Sequence, residues 1–145
     1  MSCAETTALA ALAARLADIR IANGYESNIG ERIYDEEPEP EEAPHAPFVV
    51  LGALAAQRID LPADAWTLTL DLDVYVDVPG LGYAVARAMA MDGLRDIERA
   101  LRGNGDWVAQ QLEARLVGKS LARRTAGSNY LIATATVEID YLDED

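Results

Sequence analysis

The sequence is poor in the side chains that small catalytic, metal-binding and disulfide-bonded domains use. Its 145 residues include one cysteine, Cys3, and one histidine, His45. A single cysteine excludes an intrachain disulfide framework, and with one histidine it cannot supply a cysteine–histidine zinc cluster. His45 lies among prolines, where nothing fixes the geometry that acid–base or nucleophilic catalysis requires. We therefore expect no enzymatic activity, no metal and no cofactor.

Basic side chains and long apolar runs are scarce as well. Lys and Arg number 12 against 25 Asp and Glu, which gives a net charge of −13. This balance argues against a general nucleic-acid binder, because such a protein neutralises phosphates with clustered cations. No apolar run approaches the roughly 18 residues of a membrane span, and the N-terminus lacks the pattern of a signal peptide. The expectation is a soluble cytoplasmic protein of one domain, residues 1–145, with an ordinary core.

Two stretches have the apolar period of a helix. The first runs from Thr6 to Ala22, and the second from about Tyr83 to Arg102. The predicted buried residues of the first are Leu9, Leu12, Leu16 and Ile19. Those of the second are Val85, Met89, Leu94, Ile97 and Leu101. Both helices are therefore expected to lie with one apolar stripe against the rest of the molecule.

The clearest pattern is the alternation WTLTLDLDVYVDV over residues 66–78. A strict period of two predicts a long strand with one buried face and one solvated, acidic face. A similar alternation predicts a strand over 130–142, and residues 114–122 are a further candidate. The apolar run 48–54 predicts a strand covered on both faces. Residues 29–34 fit either a strand or an irregular arm.

This order of elements predicts the fold class. We expect an α/β (α+β) single domain with a mixed, mostly antiparallel sheet of four to five strands and two helices packed on one face. Residues 35–47, DEEPEPEEAPHAP, carry six carboxylates and four prolines, and such a composition favours an exposed, extended acidic loop. The acidic end, residues 142–145, is expected to fray.

Two glycine motifs look like nucleotide-binding loops but lack the rest of the pattern. The GKS of residues 118–120 matches the end of a phosphate-binding loop, yet the glycine required five residues earlier is Glu113. The GLG of residues 80–82 precedes a predicted helix, but Val85 stands where a dinucleotide fingerprint has its third small residue. A strand interior and a strand-to-helix turn are the preferred interpretations.

Three aspartates, Asp71, Asp73 and Asp77, share one face of the strand over 66–78 and invite a metal hypothesis. Successive residues on one face of a strand are about 6.6–7 Å apart, so the three cannot share one ion without other segments. The glycine turn of a calcium loop is also missing. A solvated acidic face is therefore preferred, and a metal-dependent hydrolase is the least favoured function.

As a whole, the layout resembles the tail terminator (tail-completion, or minor tail) proteins of long-tailed bacteriophages. The matching segments are TTALAALAARLADIRIANGY, IGERIY, the acidic proline-rich loop, PFVVLGAL, LTLDLDVYVDV, AVARAMAMDGLRDIERAL and GSNYLIATATVEIDYLD. The resemblance rests on the order and texture of segments over nearly the full chain. It implies a mixed α/β fold and subunits that form a homo-hexameric ring at the head-proximal end of the tail tube.

The resemblance also implies partners and a location. Such a ring ends tube polymerisation, caps the last ring of tail tube protein, and presents the surface that joins the head through its connector protein. DNA passes through the lumen without specific binding. The family has no enzymatic activity or cofactor, and no membrane partner is expected for this chain. This chain is accordingly expected in the virion tail, and in the host cytoplasm during assembly.

The physics of a ring suggests roles for particular residues. A DNA conduit should carry carboxylates, because positive walls would trap the polyanion, so Asp71, Asp73 and Asp77 are candidates for the lumen. An acidic loop docked on basic residues of a neighbour would join subunits. The interface candidates are Glu36, Glu37, Glu39, Glu41, Glu42, Arg115, Lys119, Arg123 and Arg124. The alternative function is an acidic intracellular adaptor or DNA-mimic regulator that binds a basic protein surface.

Overall fold

The computed structural model describes residues 4–34, 47–60, 65–78, 82–102, 113–121 and 130–142. Its helices are α1 (Ala4–Ala17) and α2 (Tyr83–Leu101), with single 3-10 turns at Ile21–Asn23 and Ile29–Glu31. Its strands are β1 (Ile33–Tyr34), β2 (Phe48–Asp60), β3 (Ala65–Asp77), β4 (Glu113–Leu121) and β5 (Tyr130–Leu142). No helix within these ranges is both long enough and apolar enough to cross a membrane.

The strands form one mixed sheet in the order β1-β2-β3-β5-β4. Only β1 and β2 pair in parallel, and every other described pair is antiparallel. The central strands β3 and β5 pair without interruption from Ala65 opposite Leu142 to Asp77 opposite Tyr130. The α+β class and the mostly antiparallel mixed sheet are thus confirmed. The described residues contribute five strands, so a sheet of only four is excluded.

The two faces of the sheet differ as the alternation predicts. We call the side against α1 and α2 the helix face and the opposite side the open face. The helix face forms the main core with the apolar side of each helix. The central strands supply to it Leu68, Leu70, Leu72, Val74, Val76, Leu131, Ala133, Ala135, Val137, Ile139 and Tyr141. The first helix and the turn after it supply Ala8, Leu12, Leu16 and Ile19, all fully buried.

The second helix turns a different side to the core than its large residues predict. Val85 is 49% exposed, so the prediction that it is buried is wrong. The buried side consists largely of small residues in its first part, namely Ala86, Ala90 and Gly93, followed by Leu94, Ile97, Ala100 and Leu101. These small residues let α2 lie close to the sheet: a Cβ on Gly93 would be 3.1 Å from Val74 Cγ1. The close approach of α2 to the sheet therefore fixes the rotation of the helix about its axis and leaves the side chain of Val85 exposed to solvent.

The boundaries of two elements also depart from the sequence expectation. The first helix ends at Ala17 rather than Ala22, because a 3-10 turn at Ile21–Asn23 follows it and ends on Gly24 at φ +91°. The strand expected over 48–54 continues to Asp60. Its start is buried on both sides as predicted: Val49 joins the main core, whereas Phe48 lies in a second cluster.

Candidate functional site

The open face of the sheet concentrates acidic side chains. Register places on it Asp71, Asp73 and Asp77 of β3, Glu138 and Asp140 of β5, and Glu113 of β4. Among the described residues of these three strands, Arg115 is the one cation on this face, set opposite Glu138. The predicted acidic strand face is therefore part of a wider surface built by three neighbouring strands.

The carboxylates of this surface are held by hydroxyl groups on the adjacent strand. Thr136 Oγ1 donates to Asp71 Oδ1 at 2.9 Å, and Thr134 Oγ1 donates to Asp73 Oδ1 at 2.8 Å. Each pair is directly opposite in the β3–β5 register. Both aspartates are half-buried, so the face is less solvated than the alternation predicts. The hydrogen bonds fix two negative charges in place without neutralising them.

The guanidinium of Arg115 is fully engaged with two of the carboxylates. Its Nε donates to Glu138 Oε1 at 3.1 Å, and its Nη1 donates to Asp140 Oδ2 at 2.9 Å. The hydrogen bond from Arg115 to Asp140 raises the pKa of Arg115 above its ordinary value. Burial opposes ionisation of Asp140, but hydrogen bonds from Arg115 and Thr67 outweigh it and hold the pKa of Asp140 below its usual range. Arg115 is thus paired within its own chain.

The second basic candidate on β4, Lys119, lies on the other side of the sheet. A register shift between Leu116 and Gly118 places Lys119 opposite Ala135, on the helix face. There its Nζ donates to Glu98 Oε2 at 3.1 Å, while Arg102 Nη2 donates to Glu98 Oε1 at 2.9 Å. The bond from Lys119 lowers the pKa of Glu98. The structure therefore does not bring Arg115 and Lys119 into one basic patch.

The remaining interface candidates cannot be placed. The carboxylates Glu36, Glu37, Glu39, Glu41 and Glu42 and the arginines Arg123 and Arg124 lie outside the described residues. So do His45, residues 80–81 of the GLG motif, and nearly all of the predicted acidic loop (35–47) and acidic tail (142–145).

An aromatic cluster closes one end of the open face, and the sequence analysis did not find it. The rings of Phe48 and Tyr75 are stacked with centroids 4.8 Å apart. Tyr34 and Tyr130 meet Phe48 edge-on at 5.6 and 5.7 Å. Phe48 and Tyr75 lie opposite each other in the β2–β3 register, and Phe48 is completely buried. The available signal was that the only phenylalanine begins a strand whose two faces are both covered.

The GKS motif and the last glycine of the GLG motif lie within the described residues. Residues 118–120 lie inside β4, where a phosphate-binding loop would need a turn into a helix. Gly82 stands at the N-terminus of α2 with φ +85°, a conformation that favours glycine. Across the described ranges, no group of three or more His, Cys, Asp or Glu side chains is arranged to hold a metal ion.

No protein-family model matches this chain, and a search of curated proteins finds no match either. Evidence for its function therefore comes from its own residues and their geometry.

Proposed function

We propose that this chain is a structural virion protein, the tail terminator of a long-tailed bacteriophage. Six copies form a ring that caps the head-proximal end of the tail tube, ends tube polymerisation and joins the tail to the head. The partners are other copies of the chain, the tail tube protein and the head–tail connector protein. The proposal begins from the order and texture of segments along the sequence. The observation that supports it best is the acidic open face of the sheet.

An acidic face of this kind suits a wall past which DNA moves. Asp71, Asp73 and Asp77 repel phosphates over about 8 Å at physiological ionic strength. A cationic wall would release counterions from the DNA and hold it. The threonine hydroxyls keep two of these carboxylates in fixed positions on the open face. The one cation described on β3, β4 and β5 at this face, Arg115, is already paired.

The proposed assembly is tested by mass and by imaging. Light scattering should give the mass of the chain alone and with purified tail tube protein, and negative-stain images should show closed rings or capped tubes of defined length. The mixture with tube protein is needed because a ring can assemble only on its partner. Tubes that keep growing in excess chain would contradict the proposal. A monomer or dimer that instead binds a basic protein surface would favour the acidic adaptor or DNA mimic.

The role of the acidic face in DNA passage predicts a difference between charge reversal and charge removal. Asp71→Lys, Asp73→Lys and Asp77→Lys combined should leave rings assembled but reduce DNA delivery by about tenfold or more, because the added cations hold phosphates. The matched control is the triple Asp→Asn variant, which retains side-chain oxygens that accept the threonine hydrogen bonds and adds no cation.

The readouts separate passage from folding and assembly. Thermal unfolding and particle counts establish that both triple variants fold and are incorporated, and infectivity per particle measures delivery. Normal infectivity of the lysine variant would contradict the hypothesis that the open face lines the lumen. It would not contradict the proposal that the chain is a terminator. Equal loss in the asparagine variant would point to a packing defect rather than to charge.

A further inference from the structure

Helix α2 and its C-cap residue, Arg102, are far less acidic than the chain as a whole. The helix carries Arg87, Arg95 and Arg99 against Asp92, Asp96 and Glu98, and Arg102 adds one more cation, whereas the whole chain has a net charge of −13. Asp96 is completely buried. The helix therefore presents more positive than negative charge on its exposed side.

Part of this exposed side forms a continuous line of side chains, which we call the α2 stripe: Tyr83, Arg87, Met91 and Arg95. Residues four apart on a helix are neighbours on one side. All four are exposed, with Tyr83 at 40% and Met91 at 46%. Arg87 Cζ lies 5.5 Å from the centroid of the Tyr83 ring. Large apolar and cationic side chains thus alternate along solvent-exposed helix surface.

Within the described residues, the cations of the α2 stripe differ from Arg99 and Arg102 in having no ion-pair or hydrogen-bond partner. Arg102 forms an ion pair with Glu98 at 2.9 Å, and Arg99 donates to the carbonyl of Gly24 at 3.1 Å. By contrast, neither Arg87 nor Arg95 has a carboxylate within salt-bridge distance among the described residues. Two positive charges on a helix next to exposed apolar side chains are typical of a surface that binds an anionic partner.

A segment of this same sequence carries the complementary charge. Arg87 and Arg95 are eight positions apart, which is about 12 Å along a helix axis. Residues 35–42 read DEEPEPEE, with Glu37 and Glu41 four apart. Two prolines, Pro38 and Pro40, stand between these two glutamates in the sequence.

We infer that the α2 stripe binds the acidic segment, residues 35–42, of a second copy of this chain. Only the sequence of that segment enters the argument, since it lies outside the described residues. The α2 stripe takes the place of the basic residues of β4 as the surface that binds the acidic segment, because Arg115 and Lys119 are paired within their own chain. It rests on the self-association contained in the proposed function, and it needs neither the tail tube nor DNA.

The test exchanges charge between the two surfaces in separate chains. One variant carries Arg87→Glu and Arg95→Glu, and the other carries Glu37→Arg and Glu41→Arg. Each alone should weaken self-association by about tenfold or more, because like charges then face each other. An equimolar mixture should restore association, since the acidic stripe of one variant meets the basic segment of the other. Light scattering and calorimetry at low ionic strength measure this, and high salt should weaken the mixed complex.

A matched control reverses two other exposed arginines, Arg20→Glu and Arg102→Glu, and should change association by less than about twofold on this argument. Circular dichroism establishes that every variant folds. Failure of the mixture to associate overturns the inference, and so does equal weakening by the control variant. Association of the mixture without capping of tail tubes supports the inference but contradicts the proposed function. If both variants cap tail tubes as well as the parent does, the proposed function is supported and the inference is contradicted.

Discussion

Replacing Gly30 with alanine should lower the free energy of unfolding by about 3 kcal/mol. A Cβ on Gly30 would meet the backbone carbonyl oxygens of Leu16 and Ile19, the latter at 2.8 Å. Neither atom belongs to a flexible side chain, so the end of α1 or the turn before β1 has to move. The amide of Gly30 also donates to the Ile19 carbonyl at 3.0 Å, and this bond would be strained. Urea denaturation of both proteins gives the difference directly.

The matched control for this prediction is Gly118→Ala. A Cβ there has its nearest neighbour, Thr136 Cβ, at 3.8 Å, which is ordinary van der Waals contact. Its cost should stay within about 1 kcal/mol. Gly30→Ala and Gly118→Ala variants of equal stability would show that the end of α1 yields easily and would contradict the packing argument.

Asp96→Ala should cost about 2–4 kcal/mol of unfolding free energy. The Asp96 side chain is completely buried on α2. Its Oδ2 accepts from Ser27 Oγ at 2.6 Å and its Oδ1 accepts from the amide of Glu26 at 3.1 Å. Alanine removes both acceptors and leaves two partly buried donors without a partner. The turn that joins α1 to β1 would thereby lose its attachment to α2.

Two further substitutions divide this effect into its parts. Asp96→Asn keeps one carbonyl oxygen and should cost about half as much as alanine, whereas Ser27→Ala deletes a single donor and should cost about 1 kcal/mol. The urea midpoints of the three variants rank their stabilities. If the free energy of unfolding of the Asp96→Ala variant lies within about 0.5 kcal/mol of that of the parent, the attachment contributes little, because water replaces the carboxylate.

Further contacts hold the segment after α1 and support its attachment to α2. Arg99 reinforces it, because its Nη1 donates to the carbonyl of Gly24 and its Cζ lies 4.8 Å from the centroid of the Tyr25 ring. The amide of Ile21 donates to Asn28 Oδ1 at 2.8 Å across the same turn. Ile21 is nonetheless 57% exposed. Polar contacts therefore hold the Ile21 end of this segment, whereas Ile29 at its other end is fully buried in the main core.

The candidate site shows how far a single sequence reaches. Alternation over residues 66–78 predicted that Asp71, Asp73 and Asp77 share a face, and they do. It did not identify Thr134 and Thr136 as their neighbours, since those residues lie more than 60 positions later in the chain. Likewise, grouping Arg115 with Lys119 by sequence proximity missed the register shift that puts them on opposite faces of the sheet.

The sequence by itself determined the approximate positions of the helices and main strands and which side of the central strands β3 and β5 is apolar. Those properties depend on the local period of the chain, which is two for a strand and 3.6 for a helix whatever the partner. Only the tertiary structure decided which charges are paired. Pairing depends on strand register, on the shift within β4, and on the rotation of α2 set by Gly93 against Val74. Such contacts join residues far apart in the sequence. They pair Arg115 and Lys119 with carboxylates and leave Arg87 and Arg95 exposed on the helix.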